Sequence, residues 1–109
     1  MRARLWKEAM SMTEEQKARC HQIAIHYGFK NQAIKAIEEM AELQQALAKI
    51  LGCEQWGSFD EAAEELADVE IMVEQLRYFI CGVYAKPTDD IIDYKLNRQL
   101  ERMERENDG

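Results

Sequence analysis

A single proline, Pro87, and five glycines punctuate the 109 residues of this chain. Small sandwiches and barrels need a turn signal about every 8 to 12 residues, and so few turn-forming residues cannot supply them. Helix-start signals are present instead. Thr13-Glu14-Glu15-Gln16 has the form of a capping box, in which the Thr and Gln side chains satisfy free N–H groups at a helix start. A first core helix is predicted from there through Cys20, Ile23, Ala24 and Tyr27, stopping at Gly28, the residue type that tolerates the backbone found after a helix end. Asn31 opens a second helix that runs through Leu51 to Gly52. Ser58-Phe59-Asp60-Glu61 is a second capping box, launching a third helix to about Tyr84. Thr88 is a plausible N-cap for a fourth, through Ile92, Leu96, Leu100 and Met103. Residues 1–12 read as an arm or short helix, and residues 104–109 as a frayed tail.

The length suits one domain spanning residues 1–109. Four amphipathic helices with short loops predict an all-α fold, an antiparallel four-helix bundle module completed by oligomerisation. With 47% hydrophobic and 32% charged residues, the chain is too apolar for a disordered tail and too charged for a membrane protein. The net charge of −7 is opposite to the basic footprint of a protein that binds a nucleic-acid polymer. Cys20, Cys53 and Cys81 are odd in number, without C-x-x-C spacing, which fits a reducing compartment. Met1 to Met12 lacks the apolar core of a secretion signal, so the expected location is cytoplasmic.

At about 100° per residue, Ile37, Met40, Ala41, Leu47 and Leu51 share one sector of the second helix, the expected core face, with Leu43 on its flank. Glu38, Glu39 and Glu42 fall on the adjoining sector. Taken alone, such a motif reads as a solvated acidic face. The third helix changes the weighing. Its apolar stripe of Ala62, Leu66, Val69, Val73, Leu76 and Ile80 has Glu65 projecting inside it, with Glu61 and Asp68 at the edge. A buried carboxylate must be paired, metal-bound or protonated. Yet the stretch from Glu54 to Leu76 holds eight acidic residues and no Lys or Arg. If the two helices pack antiparallel, Glu39 with Glu42 faces Glu65 with Asp68, an all-oxygen set that favours Mg²⁺ or Mn²⁺ over zinc. On the fourth helix Lys95, Arg98, Arg102 and Arg105 form a basic stripe suited to phosphate, or to a solvated face with local pairs to Glu101.

Glu38-Glu39-Met40-Ala41-Glu42, then 22 intervening residues, then Glu65-Leu66-Ala67-Asp68, resembles the E-E-x-x-E and E-x-x-D signature of the MazG-like all-α nucleoside triphosphate pyrophosphohydrolases. The resemblance extends over roughly residues 22 to 103. It takes in Gln32-Ala33-Ile34-Lys35, the segment Ala67 to Leu76, and Tyr94-Lys95-Leu96-Asn97-Arg98, as in small phage- and prophage-type members. It implies Mg²⁺-dependent hydrolysis of a nucleoside triphosphate to the monophosphate and pyrophosphate. The metal ligands would be Glu39, Glu42, Glu65 and Asp68, with Mn²⁺ a substitute. Glu38 and Glu39 take the catalytic roles, Glu38 orienting the attacking water or supporting the ligands. Lys35, Lys95 and Arg98 would stabilise phosphate charge. The family's Lys-plus-Asn pattern is only loosely reproduced by Lys95 and Asn97. Small members are oligomeric, so a homodimer or dimer of dimers is implied.

His21 and His26 do not share a helix face and read as structural. Trp56, Tyr27, Phe29 and Tyr78 each offer an aromatic face to a base. The competing reading is a non-enzymatic acidic helical adaptor, which predicts no metal response. A ferritin-like di-iron protein expects Glu-x-x-His pairs, and neither histidine has a glutamate three residues before it.

Overall fold

The computed structural model describes residues 12–52, 58–84 and 88–108, and these are helical apart from their caps, with no strand among them. Helix α1 spans Glu14–Tyr27, α2 Phe29–Leu51, α3 Phe59–Phe79 and α4 Asp89–Asp108. The N-terminal arm expected over residues 1–12 lies, Met12 aside, outside the described residues. No helix among the described residues is long and apolar enough to cross a membrane.

The caps form where the sequence places them. Thr13 Oγ1 accepts from the Gln16 N–H at 3.0 Å, and the Thr13 N–H donates to Gln16 Oε1 at 2.8 Å. Ser58 Oγ accepts from the Glu61 N–H at 3.0 Å, but the return bond of the second box is replaced by an ion pair from Glu61 to Lys49. Helix α2 begins at Phe29 rather than Asn31, because one residue, Gly28, serves both helices. Its N–H closes α1 on Ala24 O and its carbonyl accepts the first bond of α2 from Gln32. Asn31 does not cap N–H groups: its Nδ2 donates to the Tyr27 carbonyl left free at the end of α1. At its far end α3 widens into a π-helical turn, Ile80–Tyr84, and α4 continues through Asn107 and Asp108, where a frayed tail was expected.

Cross-links between α2 and α3 fix an antiparallel register. Gln32 meets Gln75, the acidic residues at 39 and 42 meet those at 65 and 68, and Lys49 meets Glu61. Helix α1 covers one side of this pair, burying Cys20 and Ala24 and placing His21 Nε2 at 2.7 Å from Glu74 Oε2. The Phe29 ring packs edge-on against Phe79, centroids 5.5 Å apart.

The core face expected on α2 is not the buried one. Ile37 is 68% exposed and Leu51 85%, and Met40, Ala41 and Leu47 are also exposed. The buried residues are Gln32, Ala36, Glu39 and Ala46, with Leu43 half-buried between them. The helix carries two seams at heptad spacing, and the more polar one faces α3, where Gln32 meets Gln75 and Glu39 meets Glu65 and Asp68. On α3 the buried line is Ala62, Met72, Gln75 and Phe79. Val69, Val73 and Leu76 are half-buried, and Leu66 and Ile80 lie at the exposed edge. Only three helices of the expected four-helix bundle pack together. Among the described residues α4 contacts none of the others and buries nothing, so its apolar stripe of Ile92, Leu96, Leu100 and Met103 is uncovered within one chain.

The one-residue α1–α2 corner depends on Gly28, whose φ of 84° and ψ of 164° belong to a region open essentially to glycine alone. Space for a Cβ is free there, so the cost of Gly28→Ala is purely conformational. Equilibrium urea unfolding is expected to show a loss of about 1–3 kcal/mol for this variant.

Candidate functional site

Ligand atoms of Glu39, Glu42, Glu65 and Asp68 all lie within 4.8 Å of one another. The i,i+3 spacing on each helix puts each pair on one face, and the antiparallel register brings the two faces together midway along the seam. Glu39 is buried at 8% exposure, Glu65 is half-buried, and Glu42 and Asp68 open to solvent. The cluster thus has a dry wall and a wet mouth.

Its charge is poorly compensated. Among the described residues Lys35 is the cation that reaches the cluster, its Nζ 3.1 Å from Glu39 Oε1 across one helical turn. The hydrogen bond and the Glu39 charge raise the Lys35 pKa above the ordinary lysine value. Lys49, one end of the seam away, is spent on Glu61. Glu39 Oε2 and Glu65 Oε2 are both buried without a hydrogen-bond partner, the arrangement that costs most in a folded protein. The Glu65 carboxyl is accordingly pushed above the ordinary glutamate range, first by loss of water, then by the Glu42 charge and a hydrogen bond shared with Glu42, then by Asp68 and Glu39. Four hard oxygen donors within this reach, two of them orphaned, could hold a divalent cation together with water ligands.

Glu38 is exposed on α2 and lines a groove with Lys35 next to the cluster. Lys95 and Arg98 are not brought to the carboxylates within one chain, because α4 stands apart; the Arg98 guanidinium lies 5.6 Å from the centre of the Tyr94 ring instead. His21 bridges α1 to α3 through Glu74 and leans on Tyr78, while His26 packs edge-on against Tyr27. Neither enters the cluster. Of the aromatic residues offered for stacking, Tyr27 lines the groove, and Trp56 lies outside the described residues. Gln32 and Gln75 were missed by the sequence reading, although a glutamine at seam spacing on each of two paired helices was a signal that could have found them.

Comparison with protein-family models, with curated proteins and with solved structures finds no match for this chain.

The electrostatics fix the sign of one experiment. With its pKa raised in the fold, Glu65 binds more protons in the native than in the unfolded state between its ordinary and raised values. Stability therefore falls as pH rises through that window. In EDTA at neutral pH, Glu65→Gln is expected to melt at a higher temperature than wild type. Its melting temperature is also expected to change less on acidification toward the ordinary glutamate range. Calorimetric scans across pH check both outcomes.

Proposed function

We propose that this protein is a divalent-cation-dependent nucleoside triphosphate pyrophosphohydrolase. The observation that carries the reading is the convergence of Glu39, Glu42, Glu65 and Asp68 with two buried, unpartnered oxygens among them. The signature resemblance supplies the reaction class, and the donor set suits the cation that such a reaction uses. Oxygen-only ligands and an open mouth suit Mg²⁺, with Mn²⁺ as substitute, since Mg²⁺ keeps positions for water and phosphate oxygens.

Bound there, Mg²⁺ supplies neutralising charge for phosphate oxygens and lowers the pKa of a coordinated water. The chain supplies the rest. Glu39 and Glu65 hold the dry side of the site, and Glu42 and Asp68 its solvent side. Glu38, one residue from Glu39 and exposed, orients the attacking water and accepts its proton. Attack at the α-phosphorus forms a new P–O bond and breaks the bond to the bridging oxygen, so pyrophosphate leaves and the monophosphate remains. Lys35 pairs with the cluster in the free protein and turns its charge to the phosphates when they bind.

A second copy completes the unit on this reading, as a homodimer or dimer of dimers. The uncovered seam of α2, from Ile34 and Ile37 to Leu51, and the uncovered stripe of α4 are the surfaces to bury. The basic flank of a neighbour's α4 would bring Lys95 and Arg98 toward the acidic edge formed by Glu38 and Glu42.

The products decide the reaction class. With Mg²⁺, chromatography is expected to show pyrophosphate and monophosphate appearing together, with the rate reduced on the order of 100-fold or more by Glu65→Gln or Asp68→Asn. Orthophosphate with a nucleoside diphosphate would place the chain in another class. Absence of both turnover and any Mg²⁺ effect on melting would favour the acidic adaptor. Light scattering is expected to give a mass of at least two chains, and a fully active single chain would overturn the shared unit.

A further inference from the structure

Two glutamines interrupt the seam between α2 and α3 beyond the carboxylates. Gln32 is 7% exposed and Gln75 1%. Gln32 Nε2 donates to Gln75 Oε1 at 2.8 Å, and Gln75 Nε2 meets only the weak acceptor Met72 Sδ at 3.8 Å. A primary amide offers two N–H donors and a carbonyl acceptor, so this pair is left with unspent capacity, the Gln32 carbonyl above all. Both amides line a groove of about 470 Å³ walled by Ile23 and Tyr27 of α1 and Ile71 of α3. Small-molecule sites occupy about 300–1,000 Å³ and combine apolar walls with a few convergent polar groups.

The groove adjoins the carboxylate cluster. Lys35 lines it and also reaches Glu39. From Gln32 to Glu39 on α2, and from Gln75 back to Asp68 on α3, the step is seven positions, or about 10 Å at the helical rise. Both helices therefore set the same spacing between an amide pair and a phosphate-competent acidic site, a distance that a ribose and its α-phosphate can bridge.

We infer that this groove takes the base of the nucleotide, with the Gln32 and Gln75 amides reading its hydrogen-bonding edge and Ile23, Ile71 and Tyr27 against its faces. The inference rests on the pyrophosphohydrolase reading for the phosphate end and extends it to base recognition. A nucleobase edge presents donors and acceptors side by side, as the amide pair does. An apolar helix seated in the groove would leave the amides unpaired, at the cost such groups carry.

The test separates the base end from the metal end. In EDTA, the full chain is titrated with the monophosphates of the four common ribonucleosides and with ribose 5-phosphate, and the glutamine side-chain amide resonances are followed. At least one monophosphate is expected to bind roughly tenfold tighter than ribose 5-phosphate, shifting the Gln32 and Gln75 signals. The double variant Gln32→Leu/Gln75→Leu removes both partners of the buried bond and so leaves no orphan amide. It is expected to lose the preference while binding Mg²⁺ with inorganic tripolyphosphate as wild type does. Ile71→Trp, at an exposed groove wall, is expected to lose the preference with both amides intact. Equal affinity for ribose 5-phosphate and every monophosphate, a preference that survives the double variant, or shifts confined to other residues would each overturn the inference. Loss of tripolyphosphate binding in wild type would instead sink the metal reading, and the metal-free titration would still report on the groove.

Discussion

The structure depends on holding α2 against α3 with four carboxylates between them. Small side chains make the approach close: Ala36, Ala46 and Ala62 are among the few fully buried residues, and none keeps the helices apart. Close approach concentrates like charge at the middle of the seam, where repulsion would spread the helices. The two ends of the seam resist it. At one end Lys49 pairs with Glu61; at the other the Gln32–Gln75 bond and the Phe29–Phe79 contact close the gap. Helix α1 adds a clamp across the same end through His21 and Glu74. The acidic cluster is thus held under compression by neutral and paired contacts on either side of it.

On the proposed reading that arrangement sets stability against function. Orphaned oxygens on Glu39 and Glu65 contribute nothing to the free fold, and the Glu65 carboxyl is held above the ordinary glutamate range first by loss of water and then by the like charges around it. A divalent cation would reverse the sign of each of these effects, since binding to the native state alone stabilises it by mass action. Carboxylates perturbed in this way cluster at functional sites. Among the described residues the network is one-signed apart from Lys35.

Much of the scaffold was legible because it is written locally. The Thr13 and Ser58 caps and the Gly28 corner depend on a few adjacent residues, and Glu65 was visible as an acid inside an apolar stripe. The face of α2 was not legible, for a physical reason. Positions 32, 36, 39, 43, 46 and 50 form one seam, and the expected face of Ile37, Met40, Ala41, Leu47 and Leu51 is a second. Hydrophobicity ranks the second higher, since the first contains Gln32 and Glu39. Partners on α3 choose the first, and those partners are known only once the register is. The separation of α4 was equally hidden, because amphipathicity shows that a helix has a face to bury without showing on what.

The inversion on α2 has a consequence for how the fold is stabilised. Its polar seam is the internal one, and the core of one chain is correspondingly poor. Among the described residues the buried apolar side chains are four alanines, Cys20, Met72 and Phe79. Alanines contribute little apolar area, and most of the larger aliphatic groups, Ile34, Ile37, Leu47 and Leu51 among them, face outward. A helix such as α4 draws its stability mostly from packing of its apolar face rather than from propensity, and in one chain that face is bare. On the proposed reading both deficits are met by the same event. Association buries the aliphatic seam and the α4 stripe, while the acidic edge of α2 gains the basic flank of a neighbouring α4. Surface that a self-sufficient core would hide is then available to join two chains, and the charge that opposes folding in one chain attracts the other.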